Sequence, residues 1–419
     1  MSRIDELIEK LCPDGVEFKA LGEVGKFFRG TSFQKKHFVE EGIPCVHYGQ
    51  LYTHYKLYAR ETRSFLSDDF AEAKGVAKTG DLIIATTSEN EEDVCKAMAW
   101  LGESDVVVSN DACIYRHVLD PKYVAYFFQS DQFQVAKRPF ITGTKVLRVS
   151  SANMAKIRIP VPPMEVQEEI VRVLDSFAEL EAELEAELEA RRKQYAFYRD
   201  KLLSFEGLEM QRERELQWVK LGHLATYMRG ITYNKGQESN DEAGCAVLRA
   251  NNIDLEGSTL NFDSLIRVGA DVKIPQEKML RPNDILICAG SGSKDHIGKI
   301  AFVSCSLGMT FGGFMGVIRT GEQLMPRYLF HVLASSAFRA YLGRVLNSTT
   351  INNLNSKVVD NFVVPLPSLN EQARIVAILD EFDALVNDIT QGLPAEIEAR
   401  RKQYEYYRDR LLTFKEKAS

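Results

Sequence analysis

Ala190 to Phe205 reads ARRKQYAFYRDKLLSF and Ala399 to Phe414 reads ARRKQYEYYRDRLLTF, two segments identical at 12 of 16 positions and 209 residues apart. The likeness spreads outward with its order kept. Pro160, Gln167, Leu174-Asp175 and Phe177 return 205 positions on as Pro365, Gln372, Leu379-Asp380 and Phe382. Asp81, Lys96 and Arg116 return 203 on as Asp284, Lys299 and Arg319, and Leu21-Gly22 and Arg29-Gly30 return 200 on as Leu221-Gly222 and Arg229-Gly230. The offset drifts in small steps, as insertions produce. A period this long far exceeds the roughly 20 to 50 residues of a solenoid unit, so the chain reads as two duplicated domains, each followed by its own helix.

The helices carry a clear stripe. Leu174, Phe177, Leu180, Leu184, Leu188, Tyr195, Tyr198, Leu202 and Phe205 fall at steps of three, four or seven, close to a coiled-coil seam. Leu379, Phe382, Leu385, Ile389, Leu393, Ile397, Tyr404, Tyr407, Leu411 and Phe414 repeat it, with four more residues between the shared LDxF and ARRKQY segments. Four residues is about one turn, so the stripe stays nearly in phase. Gly392-Leu393-Pro394 predicts a break in the second helix, since Gly ends a helix and Pro suits the first turn of the next. The first helix, with AELE three times from Ala178 to Glu189, is expected to run unbroken. Two such seams can bury each other as an antiparallel coiled coil holding the domains apart, or each can pack on its own domain.

The expected organisation is an N-terminal helix and first domain over residues 1–163, a central helix over 164–207, a second domain over 208–367 and a C-terminal helix over 368–419. Strand-like runs at Asp81 to Ala85 and Val106 to Val108 precede an aromatic-rich helix at Lys122 to Ser130; the second half matches with Asp284 to Ala289, Gly316 to Ile318 and a helix at Arg327 to Ser335. Neither half alternates strand and helix as a doubly wound sheet does. Each is read as an irregular α+β domain.

Composition narrows the function classes. The 419 residues are 45% hydrophobic, with no apolar run near 20 residues and no apolar segment in MSRIDELIEKL, so a soluble, cytoplasmic protein without a membrane partner is expected. Seven scattered cysteines without a CxxC suit reduced thiols rather than a metal site. The net charge of −7 comes largely from six glutamates between Glu179 and Glu189, which leaves a nucleic-acid partner open. Gly298-Lys299 lacks the upstream glycine of a phosphate loop, Gly290-Ser291-Gly292 does not complete a dinucleotide fingerprint, and the Asn/Asp-Pro-Pro-aromatic motif of adenine methyltransferases is absent. No catalytic residue, metal ligand or bound cofactor is assigned to this chain.

Two domains, each followed by LDxF and then R-R-K-Q-Y-x-x-Y-R-D-x-L-L, resemble the specificity subunit of type I restriction-modification systems over the whole chain. The Pro-rich exit followed by ExQ and I-V-x-x-L-D (Glu165 to Asp175, Glu371 to Asp380) and the Gly392 to Ile397 segment GLPAEI share the likeness; the AELE units depart from GLPAEI in the first helix. The resemblance implies two pseudo-symmetric target recognition domains, each reading half of a gapped double-stranded DNA target, separated by paired helices. It implies that these helices set the gap, with the four-residue repeats tuning it, and dock two modification subunits for N6-adenine methylation. S-adenosylmethionine, and the ATP and Mg of accompanying restriction subunits, would be held by those partners. The reading from another class is a non-catalytic bridging protein without DNA specificity.

Residues for DNA contact are sought in loops that match between halves. The segment Thr86 to Lys96, with Thr87 and Ser88, aligns with Ala289 to Lys299, with Ser291, Gly292, Ser293 and Lys294, after a strand in each half; Thr142, Gly143, Thr144 and Lys145 with Arg148 align with Asn347, Ser348, Thr349 and Thr350 with Asn352 and Asn353. Asn suits adenine and Arg or Lys suits guanine in the major groove, though such loops can also be solvated connections between strands. Arg29 and Arg229, beside glycines, could grip phosphate or brace a turn, and Lys35 and Lys235 follow them. Arg191, Arg192, Arg400 and Arg401 form basic clusters beside Tyr195 and Tyr404; they are either solvated helix faces or two equivalent docking patches. Leu180, Leu184, Leu188, Tyr198, Leu202, Leu385, Ile389, Ile397, Tyr407 and Leu411 complete the expected docking surface or seam.

Overall fold

A computed structural model describes residues 3–205, 216–239, 241, 244–254, 258–291, 296–347, 353–388 and 392–418. The chain divides into two compact units, the first of which is assembled from both ends of the sequence. One comprises Met1–Ala182 with Ala399–Ser419; the other comprises Glu183–Glu398.

In the first unit a five-stranded sheet has the order Gly25–Arg29, Ala112–His117, Leu82–Ala85, Ala97–Trp100, Tyr58–Ala59. In the second a four-stranded sheet runs Ala225–Arg229, Met315–Thr320, Ile285–Cys288, Ile300–Phe302, the same order without the short last strand. Register repeats as well: Cys113 faces Arg29, and Gly316 faces Arg229. Each unit holds a second sheet of short strands, and each closes with an antiparallel pair between its first strand and its proline-rich exit, Glu17–Ala20 on Arg158–Val161 and Gln217–Lys220 on Val363–Leu366. Both units are thus α+β.

The scattered identities have local causes. Asp81 receives Arg116 Nε at 2.9 Å and Nη2 at 2.6 Å, and Asp284 receives Arg319 Nε at 2.7 Å and Nη2 at 2.8 Å. Each aspartate also accepts the backbone N–H three residues before it, from Lys78 or Arg281. Gln167 and Gln372, both buried, accept from the backbone of Asp120 and Met325 and donate to Pro162 and Pro367. A buried amide with all these partners ties the domain to the first turn of its helix.

The central helix runs unbroken from Met164 to Ser204, whereas the C-terminal half is two helices, Leu369–Asn387 and Leu393–Leu411, with Gly392 between them. A Cβ on Gly392 would stand 2.5 Å from the Ala384 carbonyl oxygen, so only glycine fits this return of the chain.

Each repeated ARRKQY segment lies in the unit built around the other half's sheets. In the first unit Tyr404 packs near Tyr126 and donates to Gln129 Oε1 at 3.1 Å; Arg408 covers the Tyr404 ring, and Asp409 accepts the N–H that opens helix Asp131–Lys137 at 2.9 Å. In the second unit the Tyr195 hydroxyl meets His331 Nδ1 at 3.1 Å, Arg199 covers the Tyr195 ring, and Asp200 accepts the N–H that opens helix Ser336–Asn347 at 3.2 Å. A carboxylate at a helix N-terminus is stabilised by the dipole and the unpaired N–H groups. The LDxF aspartates brace the preceding helices, Pro121–Gln129 and Pro326–Ala334: Asp175 takes Lys122 and Tyr126, and Asp380 takes Arg327 and His331.

Within the first unit Glu181 pairs with Arg401 at 3.1 Å and Phe177 stacks on Tyr407 at 5.4 Å, so the helices there run antiparallel. In the second unit Phe382 stacks between Tyr195 and Tyr198. The seam differs from the expected stripe where a helix meets sheet-bearing structure. Leu203, Leu412 and Val386 are buried, while Leu202 and Leu411 are half-buried and Leu385 is exposed. A helix of 3.6 residues per turn drifts from a strict seven-residue repeat, and the docked ends turn their neighbouring face inward. Leu180, Leu184 and Leu188 are half-buried and Ile397 is buried; Ile389 lies outside the described residues. Glu187 and Glu189 pair one turn along with Arg191 and Lys193, exposed pairs that add little stability. Among the described residues no helix is long and apolar enough to cross a membrane.

His117 ends a central strand of the first unit with both ring nitrogens shut off from solvent. Burial holds its pKa down to about 4 from 6.5, against the opposing pull of Asp81. The neutral ring is the folded form, so between those values the unfolded chain binds more protons than the native one. Stability present above the ordinary histidine pKa is therefore lost as pH falls through the window, by up to about 1.4 kcal/mol per pH unit. Urea unfolding of the first unit, followed from pH 7 to 4, should show this slope, and His117→Phe should flatten it.

Candidate nucleic-acid interface

The matched loops come together in each unit, by different means. In the first, Thr87–Ser88 pairs antiparallel with Leu147–Arg148. Thr142 and Arg148 exchange both backbone hydrogen bonds at 2.8 and 2.9 Å, so residues 142–148 form a small hairpin. Gly143 has φ +103, and a Cβ there would stand 2.1 Å from the Val146 carbonyl oxygen; the turn requires glycine. Thr142, Thr144, Lys145 and Arg148 are exposed on it, Ser88 is half-buried and Thr87 is buried. The Thr87 carbonyl is held by the Tyr52 hydroxyl at 2.6 Å.

The acidic loop beside this hairpin is tethered from below. Lys137, 1% exposed, donates to the carbonyls of Glu92 at 2.9 Å and Val94 at 2.7 Å, and Arg138 pairs with Glu91. Burial pushes the Lys137 pKa down; the two carbonyls satisfy its donors.

In the second unit Gly290 bridges Asn353, and Leu354 donates its N–H to the Ala289 carbonyl at 2.7 Å. Arg229 is the clasp: Nη2 donates to Asn353 Oδ1 at 3.0 Å and Nη1 to the Leu354 carbonyl at 3.1 Å. Ser291, Asn353 and Arg229 are therefore neighbours, and Arg229 positions the loop. Gly292, Ser293, Lys294, Ser348, Thr349, Thr350 and Asn352 lie outside the described residues.

Arg29 is exposed at the end of its strand. Its following glycine has a packing cause, since a Cβ on Gly30 would meet the Ser109 carbonyl oxygen at 2.1 Å and one on Gly230 the Gly312 oxygen at 2.2 Å. Lys35 and Lys235 stand elsewhere in their units, each opening an exposed turn that leads into the edge strand Phe38–Val39 or Glu238–Ser239. Of the basic clusters, Arg191 and Arg400 bond the glutamine three residues on, and Arg401 reaches Glu181. Tyr195 and Tyr404 face their own chain, while Tyr198 is 40% exposed.

One feature lies outside the loops matched in sequence. Beside Asn353 and Ser291 the second unit has a concavity of about 720 Å³, also lined by Tyr233, Arg249, Asn251 and Phe314. The available signal was the polar run Arg249-Ala250-Asn251-Asn252 directly after a buried strand.

Two units of one fold, carrying different polar side chains at equivalent loops, define a class: a protein that presents two related but unlike recognition surfaces. A family profile described as the type I restriction modification DNA specificity domain matches residues 13–190 and again residues 213–399. The chain belongs to the specificity subunits of type I restriction-modification systems, the non-catalytic DNA-recognition components of a host-defence complex. It is 32% identical over 422 residues to the Escherichia coli type I restriction enzyme EcoR124I/EcoR124II specificity subunit, spanning 97% of this chain and 96% of the relative. A chain solved in work on complex assembly and conformational transition of the type I R-M system matches with a TM-score of 0.60 at 20% identity, over 96% of this chain and 98% of that one. The S subunit from M. genitalium matches at 0.54 and 13% identity, over 95% and 96%. At such identities those two likenesses speak for the fold.

Proposed function

We propose that each sheet-bearing domain, within residues 1–163 and 208–367, reads one half of a gapped duplex sequence, and that the helices set the gap and dock two modification subunits. Those partners, in the cytoplasm, use S-adenosylmethionine to methylate adenine N6; restriction subunits add ATP- and Mg-dependent cleavage. The observation that carries the reading is the coincidence of place and contrast of chemistry: the loop pair 87–88 with 142–148 in one unit and 290–291 with 353 in the other form directly after equivalent strands, Leu82–Ala85 and Ile285–Cys288, yet carry Thr, Lys and Arg against Ser and Asn. Side chains of these types distinguish base edges. Arg29, Lys35 and Lys235, exposed and basic, suit phosphate contacts that fix register without reading sequence. Arg191, Arg192, Arg400 and Arg401 are proposed as two equivalent docking patches.

The test uses the chain assembled with its modification subunit. Substituting Thr142, Lys145 and Arg148 by alanine together should change or relax the bases methylated in one half-site, leaving the other half-site and the gap as they were. Profiling of methylated adenines reads all three at once. Changes in both half-sites, or in the gap, would contradict the assignment of one half-site to one domain.

A further inference from the structure

The concavity beside Asn353 is built more firmly than a solvated loop requires. Its first lip is the turn Ala250–Asn252, which follows Arg249. The Arg249 N–H donates to Asn252 Oδ1 at 2.9 Å, and Asn252, fully buried, donates its amide to the Asn261 carbonyl at 3.0 Å. This clamp fixes the backbone that presents Arg249 and the exposed Asn251.

The opposite lip is Asn353, held by Arg229 at 3.0 Å. Gly290 lets it close, because a Cβ there would stand 2.6 Å from Asn353 Oδ1 and 3.1 Å from Phe314 Cδ1. Phe314 stands on the rim with 70% of its surface exposed. Its exposed ring can make apolar contact with a base edge such as a thymine methyl.

Arg249 is the group left over. Its Nε is shut off from solvent with no hydrogen-bond partner among the described residues, and Nη2 reaches only the Ser264 carbonyl at 3.4 Å. A guanidinium fork with unused donors, next to amide and aromatic groups, matches the acceptor pair of a guanine edge. A phosphate grip would gather several cations around one point, and Arg249 is the one cation among the described lining residues.

We propose that this concavity receives a base pair of the second half-site, with Arg249 donating to guanine O6 and N7, Asn251 and Asn353 flanking it, and Phe314 in apolar contact at the neighbouring step. The proposal rests on the reading of this domain as a half-site reader. In the first unit the equivalent turn carries His47, whose N–H is likewise held by a side chain three residues on, Gln50 Oε1 at 2.9 Å. The scaffold is shared and the reader differs, as two unlike half-sites require.

Arg249→Gln and Arg249→Lys test this in the complex with the modification subunit. Methylation profiling of the Gln variant should show one position of the second half-site relaxed, with discrimination for guanine there reduced about tenfold or more, and the first half-site and gap unchanged. The Lys variant should retain part of that preference. Binding of the complex to a duplex carrying the wild-type target should weaken with no change in its dependence on salt concentration. A retained motif together with a salt slope reduced by about 0.9 would make Arg249 a phosphate ligand and overturn the proposal while leaving the domain's role intact. Loss of both half-sites in the Gln variant alone would mark a folding defect, and the Lys variant then decides. A wild-type complex with no bipartite motif would instead defeat the underlying reading.

Discussion

Ending the chain at Glu398 will unfold the N-terminal unit and spare the unit that the cut adjoins. Residues 399–418 supply Leu412, fully buried in the first unit's core, with Tyr404, Leu411 and Phe414 packed against it. The tail also exchanges backbone hydrogen bonds with Val16, receiving its N–H at Lys415 and donating from Lys417 at 2.9 and 3.0 Å. A single Leu412→Ala change should cost about 2–5 kcal/mol, and removing the whole segment should approach the net stability of about 5–15 kcal/mol typical of a domain. Hydrogen exchange by mass spectrometry would locate the damage in the strands at 82–85 and 112–117. Faster exchange confined to 285–288 and 315–320 would contradict the assignment. The mirror experiment, Leu203→Ala, should loosen the second unit, whose core holds Leu203.

Removing one AELE unit, Ala182 to Glu185, should abolish methylation at the original target and create it at a target with the same half-sites and a shorter gap. Four residues span about 6 Å of helix at 1.5 Å per residue, against about 3.4 Å per base-pair step. The shift is therefore one or two base pairs, about the mismatch that DNA bending and twist must absorb. Four residues also turn the helix by about 400°, nearly a whole revolution, so half-buried Leu180 and Leu188 keep their face. Deleting only Leu184 and Glu185 would rotate the downstream helix by about 200° and take the seam out of register; no gap should then be methylated efficiently. New bases recognised at an unchanged gap would refute the helices' role.

The duplication, the α+β character, the unbroken AELE helix and the break at Gly392 were all legible, because each depends on repeats or on backbone rules that act locally. What was not legible depends on contacts far apart in sequence. ARRKQY reads as a basic, solvated or docking surface, and nothing local shows that Tyr195 and Asp200 also hold two successive helices, each at a residue 136 positions away. Leu385 and Val386 are equivalent to a pattern search, and only the docked domain decides that Val386 is the buried one. Arg229 reads equally as a phosphate grip or a turn brace, and its hold on Asn353 was hidden because the two lie 124 residues apart. Arg249 escaped notice for the same reason: its neighbours Tyr233, Phe314 and Asn353 meet it only through the sheet.

On the proposed function, this chain alone dictates a two-part DNA sequence. Long-read methylation profiling of DNA from cells expressing it with its modification subunit, against cells lacking only this chain, tests that directly. The expected result is N6-methyladenine at one gapped, asymmetric motif that vanishes without the chain. An assembled, methyltransferase-competent complex that marks no such motif, or marks the same one in the chain's absence, would contradict it.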